Sequence, residues 1–240
     1  MPADWGRTSN EVLATRARLK ELNEKPSTLV ILSGGMDSAT CLALASLTSS
    51  KVEAVSFHYG QRHSREIDCA MELAKWYDVK LHKIDLGDLA QKFNTALARD
   101  SEIEIPESPT DGVPPTYVPF RNTIMLSIAC GLAEGNGFER IFYGANIIDY
   151  SGYPDCRPEY IESMNKMIEQ ATKKNLKIEA PILYLTKSDV VKLGSVLSVP
   201  WGKTHSCYRG GKLACGKCPS CAYRLKGFKE AHQVDAIEYE

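Results

Sequence analysis

Two clusters in this chain have residue types and spacings suited to chemistry. Ser33-Gly34-Gly35-Met36-Asp37-Ser38 follows the β-rich run Thr28 to Leu32 and leads into an apolar helical stretch. Two glycines let backbone approach a ligand, Ser33 and Ser38 add hydroxyl donors, and the helix start offers unpaired N–H groups at a positive dipole end. That combination suits phosphate. There is no G-x-x-x-x-G-K-[ST] or G-x-G-x-x-G pattern. Asp37 instead sits where a carboxylate is welcome only beside a divalent cation or as a helix cap. A plain glycine turn capped by Asp37 is the alternative reading. Cys207, Cys215, Cys218 and Cys221 form the second cluster, with Gly210, Gly211, Gly216 and Pro219 to turn the chain around one ion. Four thiolates match closed tetrahedral zinc, which contributes on the order of 10 kcal/mol to folding and leaves no position for a catalytic water. Free or redox cysteines are the alternative. The basic residues nearby, among them Lys203, Arg209 and Arg224, would offset the negative charge of a zinc tetrathiolate.

Three further stretches are rich in functional groups. Tyr59-Gly60-Gln61-Arg62-His63 follows the second predicted strand, at the sheet edge where open α/β folds bind ligands, or is an ordinary polar turn. Val118-Pro119-Phe120-Arg121-Asn122 opens a helix and offers a guanidinium fork and an amide, unless Arg121 is only a surface charge. The stretch from Asp149 to Glu159 carries more aromatic and charged groups than a turn needs. It suits a planar heterocycle, with carboxylates for a guanine-like edge and Arg157 for a carboxylate substituent. A polar loop N-capped by Asp155 would also account for it. Lys187, in Leu185-Thr186-Lys187-Ser188-Asp189, is either a helix-start residue or a cation for phosphates.

The elements that must position these groups alternate. Strands are expected at Thr28 to Leu32, Val52 to His58, Val79 to Ile84, Arg140 to Gly144 and Lys177 to Ala180. Helices are expected at Met36 to Leu47, Ser64 to Tyr77, Leu86 to Ala98, Arg121 to Glu134, Glu159 to Lys173, Ser188 to Leu197 and Cys221 to His232. Repeated β-α units imply an α/β fold, a doubly wound parallel sheet with helices on both faces. The proline-rich stretch Asp100 to Pro119 breaks the rhythm and reads as a lid or substrate-side loop. A polar lead, Ser9 to Glu24, reads as an appended helix. The expected organisation is therefore residues 1–26 as a helical extension, 27–200 as the α/β domain, and 201–240 as a zinc-binding segment packed on it.

Composition narrows the function classes. With 29 Lys and Arg against 30 Asp and Glu, the net charge of −1 argues against a dedicated nucleic-acid binder. No apolar run approaches the roughly 18 residues of a membrane span, and the N-terminus has no apolar signal core. A reducing, cytoplasmic location is expected, since clustered cysteines without a secretion signal suggest a metal site rather than bridges.

S-G-G-x-D-S after a first strand resembles the pyrophosphate loop of the N-type ATP pyrophosphatases. The ordered set S-G-G-M-D-S, Y-G-Q-R-H, V-P-F-R-N, D-Y-S-G-Y-P-D-C-R-P-E, T-K-S-D and the four cysteines resembles the 7-cyano-7-deazaguanine synthase (QueC) family, from Leu32 to Cys221. The resemblance implies an ATP-dependent ligase that converts 7-carboxy-7-deazaguanine and ammonia to the 7-cyano base through activated acid and amide, toward queuosine or archaeosine. It implies that Leu32, Ser33, Gly34, Gly35, Met36, Asp37, Ser38, Ala39, Thr40, Cys41 and Leu42 bind ATP. Asp37, with magnesium, and Ser38, Arg121 and Lys187 would serve catalysis. Asn122, Asp149, Asp155, Arg157 and Glu159 would seat the base, and zinc would be structural. The remaining length has no room for a glutaminase, so free ammonia is the expected nitrogen source. Small molecules are the expected partners, with no membrane and no nucleic acid; a homodimer is compatible. A tRNA thiolase with Cys156 as its thiol, a zinc-dependent nucleic-acid module, and a ligase stopping at the amide are the rival readings.

Overall fold

In the computed structural model, residues 25–62, 65–107, 112–148 and 153–240 are described. The expected helix at Ser9 to Glu24 lies outside them. Five strands form one parallel sheet: β1 (Thr28–Ile31), β2 (Val52–His58), β3 (Lys80–Asp85), β4 (Arg140–Phe142) and β5 (Lys177–Glu179), in the order β3-β2-β1-β4-β5. From β1 the chain first builds outward through β2 and β3, then returns to place β4 on the other side. The switch point between β1 and β4 opens a crevice at their carboxyl ends, where such sheets bind ligands.

Successive residues of β1 face opposite sides of the sheet, and each side has its own core. Leu29 packs with Val55, Phe57, Leu126 and Ile141 on one side; Val30 packs with Leu42, Leu73, Phe142 and Val190 on the other. The helices that cover the sheet are α1 (Met36–Thr48), α2 (Arg65–Trp76), α3 (Arg121–Asn136), α4 (Pro158–Ala171), α5 (Lys187–Val196) and α6 (Pro219–Glu230). No helix among the described residues is long and apolar enough to cross a membrane.

The helix expected at Leu86 to Ala98 does not form. Only a single 3-10 turn, Leu89–Lys92, is present. The amides of Leu86 and Ala90 instead donate to the carbonyls of His58 and Tyr59, both at 2.7 Å, so this segment closes the end of β2 rather than its own helical ladder. The final helix starts at Pro219, with proline in its first turn, and ends at Glu230. The proline-rich loop is pinned at its distal end: Pro115 accepts from the Ala96 amide at 2.8 Å, and Thr116 and Val118 are buried.

Candidate active site and zinc-type centre

The phosphate loop lies between β1 and α1. Helix α1 is preceded by Gly35 and has no side-chain cap, so its first amides are free to meet an anion. The two serine hydroxyls knit the loop together: Ser33 Oγ and Ser38 Oγ are 3.1 Å apart, and Ser38 Oγ also accepts from the Ser33 amide at 3.2 Å. Gly34 adopts a φ of +88°, and a Cβ there would stand 2.1 Å from the carbonyl oxygen of Glu66, so the first turn of α2 presses directly on the loop. Any larger residue would break both the turn and this contact.

Asp37 does not cap the helix. Lys187 Nζ donates to both of its carboxylate oxygens at 2.8 Å across 150 positions of sequence. Lys187 is aimed by a capping box: Thr186 Oγ1 accepts from the Asp189 amide at 3.1 Å, and the Thr186 amide donates to the Asp189 carboxylate at 3.2 Å. This sets Lys187 at the first position of α5, facing the phosphate loop. Magnesium is commonly held by one or two carboxylates together with substrate phosphates, and Asp37 fits that donor pattern.

A cavity of about 280 Å³ adjoins the loop at the switch point, and Ser33, Asp37, Ser38, Arg121, Asn122 and Lys187 all line it. Arg121 is at the first position of α3, where its Nη1 donates to Tyr59 Oη at 3.2 Å. Burial works against its charge, but Tyr59, Tyr153 and Asp155 around it more than restore it. Tyr59 and Gln61 are buried, with Gln61 Oε1 accepting from the Tyr59 amide at 2.8 Å, so the Tyr-Gly-Gln segment is part of the wall rather than a solvated turn.

The polar loop after β4 divides. Tyr153 and Cys156 face the cavity, and the Tyr143 hydroxyl donates to the Asp155 carbonyl at 2.8 Å. Asp155 lies behind that wall and is 5 % exposed. Burial pushes its carboxyl up, while Arg121 and the neighbouring Asn122 pull the other way. It is not the N-cap of α4, a position that falls to Arg157. Arg157, the N-cap of α4, and Glu159 in its first turn are exposed and do not line the cavity. Asp149 lies outside the described residues. Of the ATP-loop residues, Leu32 and Met36 reach the cavity, whereas Ala39, Thr40, Cys41 and Leu42 are buried in or beside the core of α1. The proline-rich loop supplies no described lining residue; it backs the wall through Thr116, whose Oγ1 lies 2.9 Å from Tyr153 Oη.

Several lining groups had no signal in the sequence. Glu66, Tyr143, Asn146, Ser206, Tyr208 and Tyr223 reach the cavity from four separate segments. Glu66 stands out electrostatically. Burial pushes its carboxyl up to about 7 against the attraction of Arg121 and His205, with Cys207 adding to the rise.

The four cysteines converge. Cys207, Cys215, Cys218 and Cys221 are buried, and their sulfurs lie within 4.8 Å of one another. The edge of a tetrahedron with zinc–sulfur bonds of about 2.3 Å is roughly 3.8 Å, so the set fits zinc. Amides point inward as they do at thiolate centres: Cys218 N–H and Lys217 N–H donate to Cys215 Sγ at 3.3 and 3.4 Å. The last residues clamp this loop. Glu240 N–H donates to the Ala214 carbonyl at 2.9 Å, and Arg224, 1 % exposed, grips Asp235 at 2.7 and 2.8 Å while Tyr239 donates to the same carboxylate. The nearby bases thus have partners of their own: Lys203 pairs with Glu72 and Arg209 with Glu107.

Comparison with known proteins agrees with these features. The chain is 49 % identical over 227 residues to a 7-cyano-7-deazaguanine synthase from Thermoplasma acidophilum, covering 90 % of this chain and 93 % of that protein. It is 48 % identical to one from Oceanobacillus iheyensis, covering 88 % and 97 %. Among solved structures, an NMN synthetase from Francisella tularensis superposes with a TM-score of 0.51 at 13 % identity over 96 % of this chain and 97 % of that one, a likeness of fold alone. The family model described as queuosine biosynthesis protein QueC matches residues 27–232, which takes in β1, the phosphate loop, the cavity and all four cysteines, and the chain belongs to that family.

Proposed function

We propose that the chain is an ATP-dependent carbon–nitrogen ligase that converts 7-carboxy-7-deazaguanine and ammonia to 7-cyano-7-deazaguanine. The observation that carries this reading is the convergence of the Ser33–Ser38 loop, Arg121–Asn122 and Lys187 on one cavity at the sheet's switch point. A carboxylate oxygen is a poor leaving group, so acid becomes nitrile only if oxygen is activated twice, first on the acid and then on the amide. One phosphate loop can serve both rounds by positioning ATP and stabilising the displaced pyrophosphate.

In this reading the uncapped amides of α1 and the Ser33 and Ser38 hydroxyls hold the β- and γ-phosphates. Lys187 bridges Asp37 and the phosphates, and Asp37 is the group that would hold magnesium, whose chemistry is to neutralise phosphate charge. Arg121 orients the substrate carboxylate toward the α-phosphorus, steadied by Tyr59 and by Asp155 behind it. Asn122 contributes to seating the base. No substrate contact is assigned to Arg157 or Glu159. The four cysteines would hold structural zinc, which closes the loop within the 201–240 segment that packs on the α/β domain at 27–200.

The thiolase reading has little support. Burial pushes the Cys156 thiol up to about 11, the opposite of an activated nucleophile. The proposal is tested by supplying ¹⁵N-ammonium, 7-carboxy-7-deazaguanine and one equivalent of ATP. Labelled amide should accumulate and convert to labelled nitrile when a second equivalent is added. Nitrile formed with no label, or with no amide on the way, would contradict it.

A further inference from the structure

We propose that Glu66 is the catalytic base that takes protons from the nitrogen nucleophile; the assignment rests on the ligase reaction proposed above. Ammonium has no lone pair, so a proton must leave before nitrogen attacks. Further protons must leave as amide and then nitrile form.

The cavity wall narrows the choice of acceptor among the described residues. Asp37 is held by Lys187 through two 2.8 Å contacts. Arg121 and Lys187 are cations. Burial raises the Tyr59 hydroxyl, holds the Tyr143 hydroxyl well above its usual range, and pushes the Cys156 thiol up to about 11, so these groups keep their protons near neutrality. Glu66 is the remaining carboxylate of the wall. Its backbone is fixed, because the contact between its carbonyl and Gly34 seats the first turn of α2 on the Ser33–Ser38 loop, and the residue lines the same cavity as that loop. The charged and titratable groups that act on it are Arg121 from α3, Tyr59 after β2, Cys69 from its own helix, and His205 and Cys207 from the cysteine loop. A carboxyl brought to about 7 among them can accept a proton from a nitrogen acid and return it to water, which is the match a general base needs.

The steps balance as follows. Ammonium gives a proton to the Glu66 carboxylate, which passes it to solvent. The freed lone pair forms the C–N bond at the activated carboxyl carbon. The adduct gives a second proton to Glu66 as the bond from that carbon to the phosphorylated oxygen breaks, and AMP leaves with the electron pair. In the second round the amide oxygen displaces pyrophosphate from ATP. Glu66 removes the N–H protons as the C–O bond breaks, their electron pairs complete the nitrile, and AMP leaves again.

The test compares the full-length wild type with Glu66→Gln and Glu66→Asp, each checked for zinc content and melting temperature. Two reactions are followed: acid-dependent exchange of labelled pyrophosphate into ATP, which needs only activation, and formation of amide and nitrile. Glu66→Gln should keep exchange within about twofold yet lose on the order of 10²-fold or more in amide formation, and lose the acid limb of kcat near pH 7. Glu66→Asp should retain that limb at a lower rate. Wild-type amide formation with an unchanged pH profile in Glu66→Gln overturns the assignment, as does an equal loss of exchange and amide in both variants. If the wild type itself shows no acid-dependent exchange, the ligase reading fails first and takes this one with it.

Discussion

Gly227 lies in α6 directly against the start of α5, and replacing it with alanine should disturb the phosphate site without touching it. A Cβ at Gly227 would stand 2.8 Å from Lys187 Cγ and 3.0 Å from both the Lys187 carbonyl carbon and Cβ. Carbon atoms prefer about 3.5–4.0 Å, so the first turn of α5 must retreat by roughly 0.5–1 Å. Overpacking of this kind costs about 1–3 kcal/mol, while alanine returns about 0.5–1 kcal/mol of helix propensity. The net loss centres on about 1 kcal/mol, a fall of about 2–4 °C in Tm for a chain of this size. The larger effect falls on Lys187, whose two 2.8 Å contacts with Asp37 cannot both survive the retreat. Misplacement on the scale of 1 Å can cost about 10²-fold, so acid-dependent pyrophosphate release should slow about 10- to 100-fold with zinc content unchanged. Gly131→Ala is the control: nothing lies within 4 Å of its added Cβ in α3, so Tm should rise and the rate should hold. Gly227→Ala with wild-type Tm and wild-type pyrophosphate release would refute the geometry.

Three further outcomes follow from the same structure. Asp235→Asn strands Arg224 in the interior and should cost about 3–5 kcal/mol by denaturant unfolding. Burial raises the Asp235 carboxyl, but Arg224 and Tyr239 more than reverse this and leave it below its usual value; its stabilisation is present above the ordinary aspartate range and lost as pH falls through the folded value, a loss the Asn variant should not show. Cys215→Ser, or stripping with a chelator, should lower Tm and release one zinc per chain before activity is affected; equal melting of metal-free and metal-bound protein would remove the structural role. For Asp155 the sign is opposite, since burial raises its folded value: the charged form costs stability above the ordinary aspartate range, so Asp155→Asn should gain on the wild type as pH rises from that range through the raised folded value, while KM for the base rises and KM for ATP does not.

Features set by contiguous residues were legible in the sequence, and features set by folding were not. The Ser33–Ser38 loop is legible because a cradle suited to phosphate is made of successive residues, and the four cysteines because a shared ion would demand close spacing. The alternation of strands and helices was legible for the same local reason. Leu86 to Ala98 misled because the carbonyls of His58 and Tyr59 take amides of this segment, a tertiary demand absent from local periodicity. The nearness of Arg157 and Glu159 to Asp155 in sequence suggests a shared pocket, while in the fold both are exposed at the start of α4 and stand outside the cavity lining. Glu66 and Tyr143 read as ordinary helix and strand-end residues. They reach the cavity only when Gly34 brings α2 onto the loop and β4 pairs with β1.

The central claim is the conversion of acid to nitrile, and one measurement bears on it most directly. The purified full-length protein is incubated with 7-carboxy-7-deazaguanine, ATP, magnesium and ammonium, and the base is followed by mass. Complete conversion to the mass of 7-cyano-7-deazaguanine is expected, absent when ATP or ammonium is withheld. A base that keeps the mass of the acid while the protein carries zinc and is folded would contradict it.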